Sequence, residues 1–328
     1  NDKEKIIAYD HYKTGKRTKV QHHKDYLNEL LPILMQLNVK YLIVADAEYF
    51  KTLTKAKTAD NSLGYVLDSI VGEFKIIYIP NFQQIFYDPD KIKFKIKQSL
   101  DALNHHRAGT YSDPGNTIIK KAHYPKSTKD IKSWLDTLLE MDCDLTADIE
   151  GFALKHYQAG IGSITFCWSQ HEGVAFPVDY REPTGPLQEG EVWERWTNHE
   201  VRDLLKDFFI NFKRKMIWHH ISYDVYVLIY QLFMKDLLDT KGLLNGLDIL
   251  LKNWDDTKLI SYLATNSCAG NKLSLKQQAQ EFAGNYAVED IKNIRKIPID
   301  KLLEYNLVDG LSTLIVGLFL VLFFRKRK

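Results

Sequence analysis

The most constraining stretch of this chain lies between Asp144 and Val178. Three runs there, Asp144–Glu150, Ile161–Ser169 and Val174–Val178, are rich in β-branched and aromatic residues. Gly151 and Glu172-Gly173 fall at or between their ends, a spacing that predicts an antiparallel meander. Along the first run Leu145, Ala147 and Ile149 share one face. Asp148 and Glu150 share the other, because successive strand side chains alternate. Two carboxylates held side by side repel one another unless a cation neutralises them. A solvated strand end also carries such pairs, so the Asp-x-Glu alone leaves both readings open.

The flanking sequence gives the meander its context. At 328 residues the chain has room for two domains. In the front half, strand-like runs at Tyr41–Ala45 and Phe74–Ile79 alternate with helical patterns at Lys24–Gln36 and Pro89–Asn104, which predicts a small α/β unit with a parallel sheet. His105 to Lys129 holds Gly109, Pro114, Gly115 and Pro125, so the expected boundary falls near 125: residues 1–125 form one domain and 126–328 the second. In that second part a helix is expected at Lys129–Met141 before the meander. After it come a helix at His199–Phe212, a short strand at Lys215–Trp218 and a helix at Ser222–Met234. Asp256 is the expected N-cap of a Thr257–Ala264 helix, and a last helix starts near Pro298.

Further acids fall on those elements. Asp224 lies in the first turn of its helix, where the dipole favours an acid whatever its role. Tyr305 and Asp309, four apart, share a face of the last helix. Their neighbours Leu302, Leu303, Leu307 and Val308 are apolar, and a buried Asp needs a metal, a cap or an arginine.

Taken in order, Asp148-x-Glu150 on a strand, Asp224 on a following helix and Tyr305-x-x-x-Asp309 on a late helix resemble the proofreading 3′→5′ exonuclease domain of family A DNA polymerases, of the DEDD type. Asp256–Leu263 and Leu273–Gly284 resemble helices of the same family, and the resemblance spans about residues 127–324. One position departs: where the family usually has Asn, four residues before its second-motif Asp, this chain has His220. Leu42–Glu48 and Asn81–Asp90 are similar, more faintly, to the uracil-DNA-glycosylase-like fold. That glycosylase's phosphate-loop glycines are not evident, so a non-catalytic domain is expected there.

The resemblance implies an α/β fold: a ribonuclease H-like exonuclease domain, a mixed sheet flanked by helices, preceded by a smaller α/β domain. It implies two divalent cations, Mg²⁺ or Mn²⁺, held by Asp148, Glu150, Asp224 and Asp309, with Tyr305 orienting the attacking water. The implied substrate is the 3′ end of single-stranded DNA. Phe152, which is equally well a core aromatic, and His220 are its candidate contacts. The implied partner is a DNA polymerase, as a separate subunit or as a C-terminal domain, since polymerase motifs are not found in these residues. An exoribonuclease, or a binding subunit without catalysis, remain alternatives.

Other features narrow the field. There is no C-x-x-C among Cys143, Cys167 and Cys268, no Gly-x-Ser-x-Gly and no Walker loop, which removes zinc ribbons, serine hydrolases and P-loop enzymes from the expected classes. The three scattered cysteines and a polar opening at Asn1–Lys19 suit a reducing cytoplasm, and the resemblance implies that of a bacterial or phage-infected cell. Leu314–Phe324 is apolar but too short for a membrane span, which takes roughly 17–25 residues, so a membrane role is not expected and it reads as a buried helix end.

Overall fold

The computed structural model describes residues 20–86, 89–114, 118–181, 193–264, 273–282, 291 and 293–325. Two compact units divide the chain, Asn1–Asp113 and Pro114–Lys328. The first holds α1 (Val20–Gln36), β1 (Tyr41–Val44), α2 (Ala47–Thr54), β2 (Leu67–Asp68), β3 (Lys75–Tyr78) and α3 (Pro89–Arg107). Its sheet has the order β1-β3-β2, with β1 parallel and β2 antiparallel to β3. Leu27, Leu31 and Leu34, spaced three and four apart on α1, bury one face together with Phe50, Leu63 and Ile76.

The second unit opens with β4 (Lys121–His123) and α4 (Thr128–Glu140). Then come β5 (Leu145–Glu150), α5 (His156–Ala159), β6 (Ser163–Ser169), β7 (Glu172–Pro177), β8 (Tyr180–Arg181) and β9 (Glu194–Arg195). The remainder is α6 (His199–Asn211), β10 (Met216–Trp218), α7 (Ile221–Phe233), α8 (Thr240–Leu250), β11 (Trp254–Asp256), α9 (Thr257–Ala264), α10 (Leu275–Phe282) and α11 (Ile299–Arg325). The expected division at 125 differs from the observed one because β4 pairs in parallel with β7 and so belongs to the second unit.

The main sheet has the order β11-β10-β5-β6-β7-β4. β5, β6 and β7 are the expected meander, antiparallel throughout, while β10 runs parallel to both β5 and β11. One face carries Leu145, Ala147, Ile149, Phe166 and Phe176 against Leu135, Leu205, Phe208 and Leu228 of α4, α6 and α7. On the other, Cys167 and Ala175 pack with Leu303, Leu307 and Leu311 of α11. The sheet thus lies between two helical layers, the ribonuclease H-like arrangement that the resemblance implies.

The helix α11 is apolar enough over Ile299–Leu320 to cross a membrane by length and composition, yet 78% of its most apolar window is buried inside the protein. Val316 and Leu320 pack with Ala279 of α10, while Leu318 and Phe319 are about half exposed. Its close approach to the sheet depends on Gly310: a Cβ there would lie 2.7 Å from Thr165 Cγ2 and 3.0 Å from Cys167 Sγ.

Candidate active site

Strand alternation turns Leu145, Ala147 and Ile149 into one core and leaves Thr146, Asp148 and Glu150 facing α11. Three polar contacts set the helix against that face. The Thr146 hydroxyl donates to the Gly310 carbonyl at 2.9 Å. The Asn306 amide donates to Asp148 Oδ2 at 2.7 Å, and its own oxygen accepts from Ser163 Oγ at 3.1 Å. Asp309, one residue before Gly310, is thereby brought to the strand carboxylates. One ligand oxygen each from Asp148, Glu150 and Asp309 lies within 4.8 Å of the others, a group that could hold a metal ion.

Asp224 is held differently. It is buried in the first turn of α7, and its Oδ1 accepts the Ile149 amide at 3.2 Å, so it reaches the strand between Asp148 and Glu150. Burial pushes its carboxyl up to about 7, with a further upward push from Asp256. The Asp148 carboxyl stands well above its ordinary value, through burial first and then through Asp224, Asp309 and Glu150. Four acids so placed favour a proton or a cation among them. An all-carboxylate donor set suits a hard divalent ion.

Tyr305 stands one turn before Asp309, and its hydroxyl accepts from Lys276 Nζ of α10 at 3.1 Å. His220 lies at the start of α7 in the left-handed region, with φ 65°. That conformation is adopted more readily by Asn, Asp and His than by most other non-glycine residues. Its side chain is exposed, and its backbone amide donates to Asp256 Oδ1 at 3.1 Å. His219 is half-buried instead, with Nδ1 2.8 Å from Thr257 Oγ1, and desolvation pulls its imidazole down to about 4. Phe152 is half-buried, packed on Tyr180 with ring centroids 5.2 Å apart, and it carries two arginine guanidiniums.

Sequence reasoning missed several residues here. Asn306 was detectable as a polar residue beside Tyr305 on an apolar helix. Asp256 caps α9 through the Lys258 and Leu259 amides, as expected, and also accepts from His220 and Ile221 at the start of α7. Leu154, Tyr157 and Tyr226 surround the loop after Glu150 and leave apolar surface exposed; Leu154 is 92% accessible.

No protein-family model matches the chain, and no curated protein is similar to it in sequence. Among solved structures, the chain is similar to NrnC of Brucella melitensis bound to pGG, at 14% identity and a TM-score of 0.40, over 64% of this chain and 84% of that one. It is similar to the RNase domain of yeast Pop2 at 14% identity and a TM-score of 0.41, over 65% and 88%. The catalytic core of RRP6 from Trypanosoma brucei is similar at 15% identity and a TM-score of 0.40, over 68% and 56%.

Proposed function

We propose that the second unit is a metal-dependent 3′→5′ exonuclease that removes nucleotides from single-stranded DNA 3′ ends, as the proofreading partner of a family A DNA polymerase. The observation that carries this reading is the convergence of Asp148, Glu150 and Asp309 within 4.8 Å, with Asp224 bound to the strand between the first two. Two divalent ions, Mg²⁺ or Mn²⁺, would supply an activated water and neutralise the charge that develops on the phosphate. Asp148, Glu150 and Asp309 would hold them, with Asp224 in support.

The remaining steps fall to the protein's own groups. Asn306 fixes the Asp148 carboxylate against Ser163, so its oxygens cannot swing away from Glu150. Lys276 fixes the Tyr305 phenol, which orients the attacking water from the helix turn before Asp309. Leu154, Tyr157 and Tyr226 offer apolar surface for the terminal bases. The first unit serves as a non-catalytic α/β module.

The test is digestion of 5′-labelled single-stranded DNA and matched RNA by the whole chain, with Mg²⁺, Mn²⁺ or EDTA. A ladder shortening from the 3′ end, lost in EDTA and in Asp148→Ala/Glu150→Ala, supports the reading. Preference for RNA would replace the DNA substrate, and cleavage that survives both substitutions would move the active site elsewhere.

A further inference from the structure

The strand β9 and the turn that precedes α11 each bring an arginine to one aromatic ring, Phe152, in the loop that follows Glu150. The guanidinium of Arg195 lies 4.5 Å from the Phe152 ring centroid and that of Arg295 lies 5.7 Å from it. Tyr180 packs on the same ring, and its hydroxyl donates to the Ile294 carbonyl at 3.2 Å. Ile294 in turn fills the space beside Gly162: a Cβ there would meet Ile294 Cδ1 at 2.5 Å and the Glu150 carbonyl oxygen at 2.7 Å. Arg295 is therefore anchored beside the strand end that carries Glu150, and Phe152 lies two residues beyond Glu150. The arginine pair borders the carboxylate cluster.

Two guanidiniums over one ring attract an anion. Burial and then Arg295 hold the Arg195 guanidinium below its ordinary value. Among the described residues neither arginine makes an ion pair. Asp179, near Arg195, is occupied by Arg202 at 2.8 and 2.5 Å and by the Ile161 amide at 2.7 Å. Arg195 donates to the Gln158 carbonyl at 3.2 Å, which fixes its plane, and both side chains are exposed to solvent. A planar fork on an aromatic face, open to water and without an ion pair among the described residues, is suited to phosphate oxygens.

We propose that Arg195 and Arg295, stacked on Phe152, bind a non-scissile phosphodiester of the substrate strand, next to the one being cut. This rests on the nuclease reading above. The scissile phosphate belongs at Asp148, Glu150 and Asp309. Neither arginine is paired with those acids, so the pair serves a neighbouring phosphate without competing for the metal ligands.

The experiment uses the whole chain and two substrates, a fluorescent single-stranded DNA oligonucleotide and the p-nitrophenyl ester of thymidine 5′-monophosphate, which has one phosphodiester. In EDTA, oligonucleotide affinity is measured against salt. Arg195→Gln and Arg295→Gln are each expected to flatten the slope of log K against log salt by about 0.7. The lysine variants keep the slope because they keep the charge. With metal, the double glutamine variant is expected to lower the ratio of oligonucleotide turnover to p-nitrophenyl ester turnover by about tenfold. An unchanged slope with an unchanged ratio overturns the proposal, and so does an equal fall on both substrates. A wild-type chain that cleaves neither substrate overturns the nuclease reading instead, while the slopes in EDTA still report on the arginines.

Discussion

Asp224→Asn should make the metal-free protein more stable while removing the proposed nuclease activity. Asp224 is 5% exposed, and burial raises its carboxyl from 3.8 to about 7. A raised folded-state value means that the protonated acid is what the fold tolerates. Relative to acid conditions, stability is lost as pH rises from the unfolded value through the folded one. At pH 8 the loss approaches about 4 kcal/mol, from about three pKa units at about 1.4 kcal/mol each. At pH 5 it is less than half of that, and below about pH 3.5 it vanishes. Asparagine has the shape of the protonated acid and keeps Oδ1 as the acceptor for the Ile149 amide, so the substitution removes the charge and little else. Urea unfolding in EDTA should show the variant ahead by up to about 4 kcal/mol at pH 8, with a smaller lead at pH 5. Millimolar Mg²⁺ should narrow the gap by stabilising the wild type, because a ligand that binds only the folded state adds stability. A variant no more stable than wild type in EDTA at pH 8, with an unchanged denaturant slope, would refute the argument that burial makes the ionised form costly at this position.

Four other substitutions probe the supports of the site. Asp256→Ala removes an acceptor shared by the starts of α7 and α9 and should cost about 2–4 kcal/mol by denaturant unfolding. Gly310→Ala pushes α11 off Thr165 and Cys167 and should cost about 1–3 kcal/mol, with metal-dependent cleavage lost as Asp309 shifts. Lys276→Met leaves the Tyr305 hydroxyl without its lysine donor; kcat should fall about tenfold with KM little changed, read from steady-state cleavage. Thr146→Val deletes the donor to the Gly310 carbonyl; stability should fall by about 1 kcal/mol and activity by more than that loss accounts for.

How much of this could be read from the sequence depended on the range of the interaction. The meander was legible because its strands are long enough to show alternation, and the division of Leu145, Ala147 and Ile149 from Asp148 and Glu150 follows from the pleat alone. Tyr305 and Asp309 were legible as a helical pair amid leucines. β4 was not: three residues, Lys121–His123, in a stretch rich in Pro and Gly carry too short a pattern to stand out, and only pairing with β7 makes them a strand. α8 was passed over because Gly242 and Gly246 weaken the helical signal, yet Gly246 lets the helix close on Ile229, where a Cβ would come within 2.9 Å. Arg195 and Arg295 are a hundred residues apart in sequence and share a ring only in the folded chain. The second role of Asp256, at the start of α7, has the same cause.

The polar contacts between the sheet and α11 solve a problem that the composition of this helix creates. A helix with one apolar face has its rotation set by burial, and the first turns of α11 do expose Asp300, Lys301 and Glu304, but beyond Leu311 the helix is apolar nearly all round, so burial alone sets the rotation of the whole helix only loosely. A rotation of one residue, about 100°, would carry Asp309 out of reach of Asp148 and Glu150. Thr146 on Gly310, Asn306 on Asp148, and Ser163 on Asn306 each pair well in one rotation only, since any other leaves buried polar groups unmatched. Their modest net energy understates them: they select one packing among near-equals. That selection brings the third carboxylate to the candidate metal-binding group, so the residues that give α11 its orientation are also the ones that complete that group.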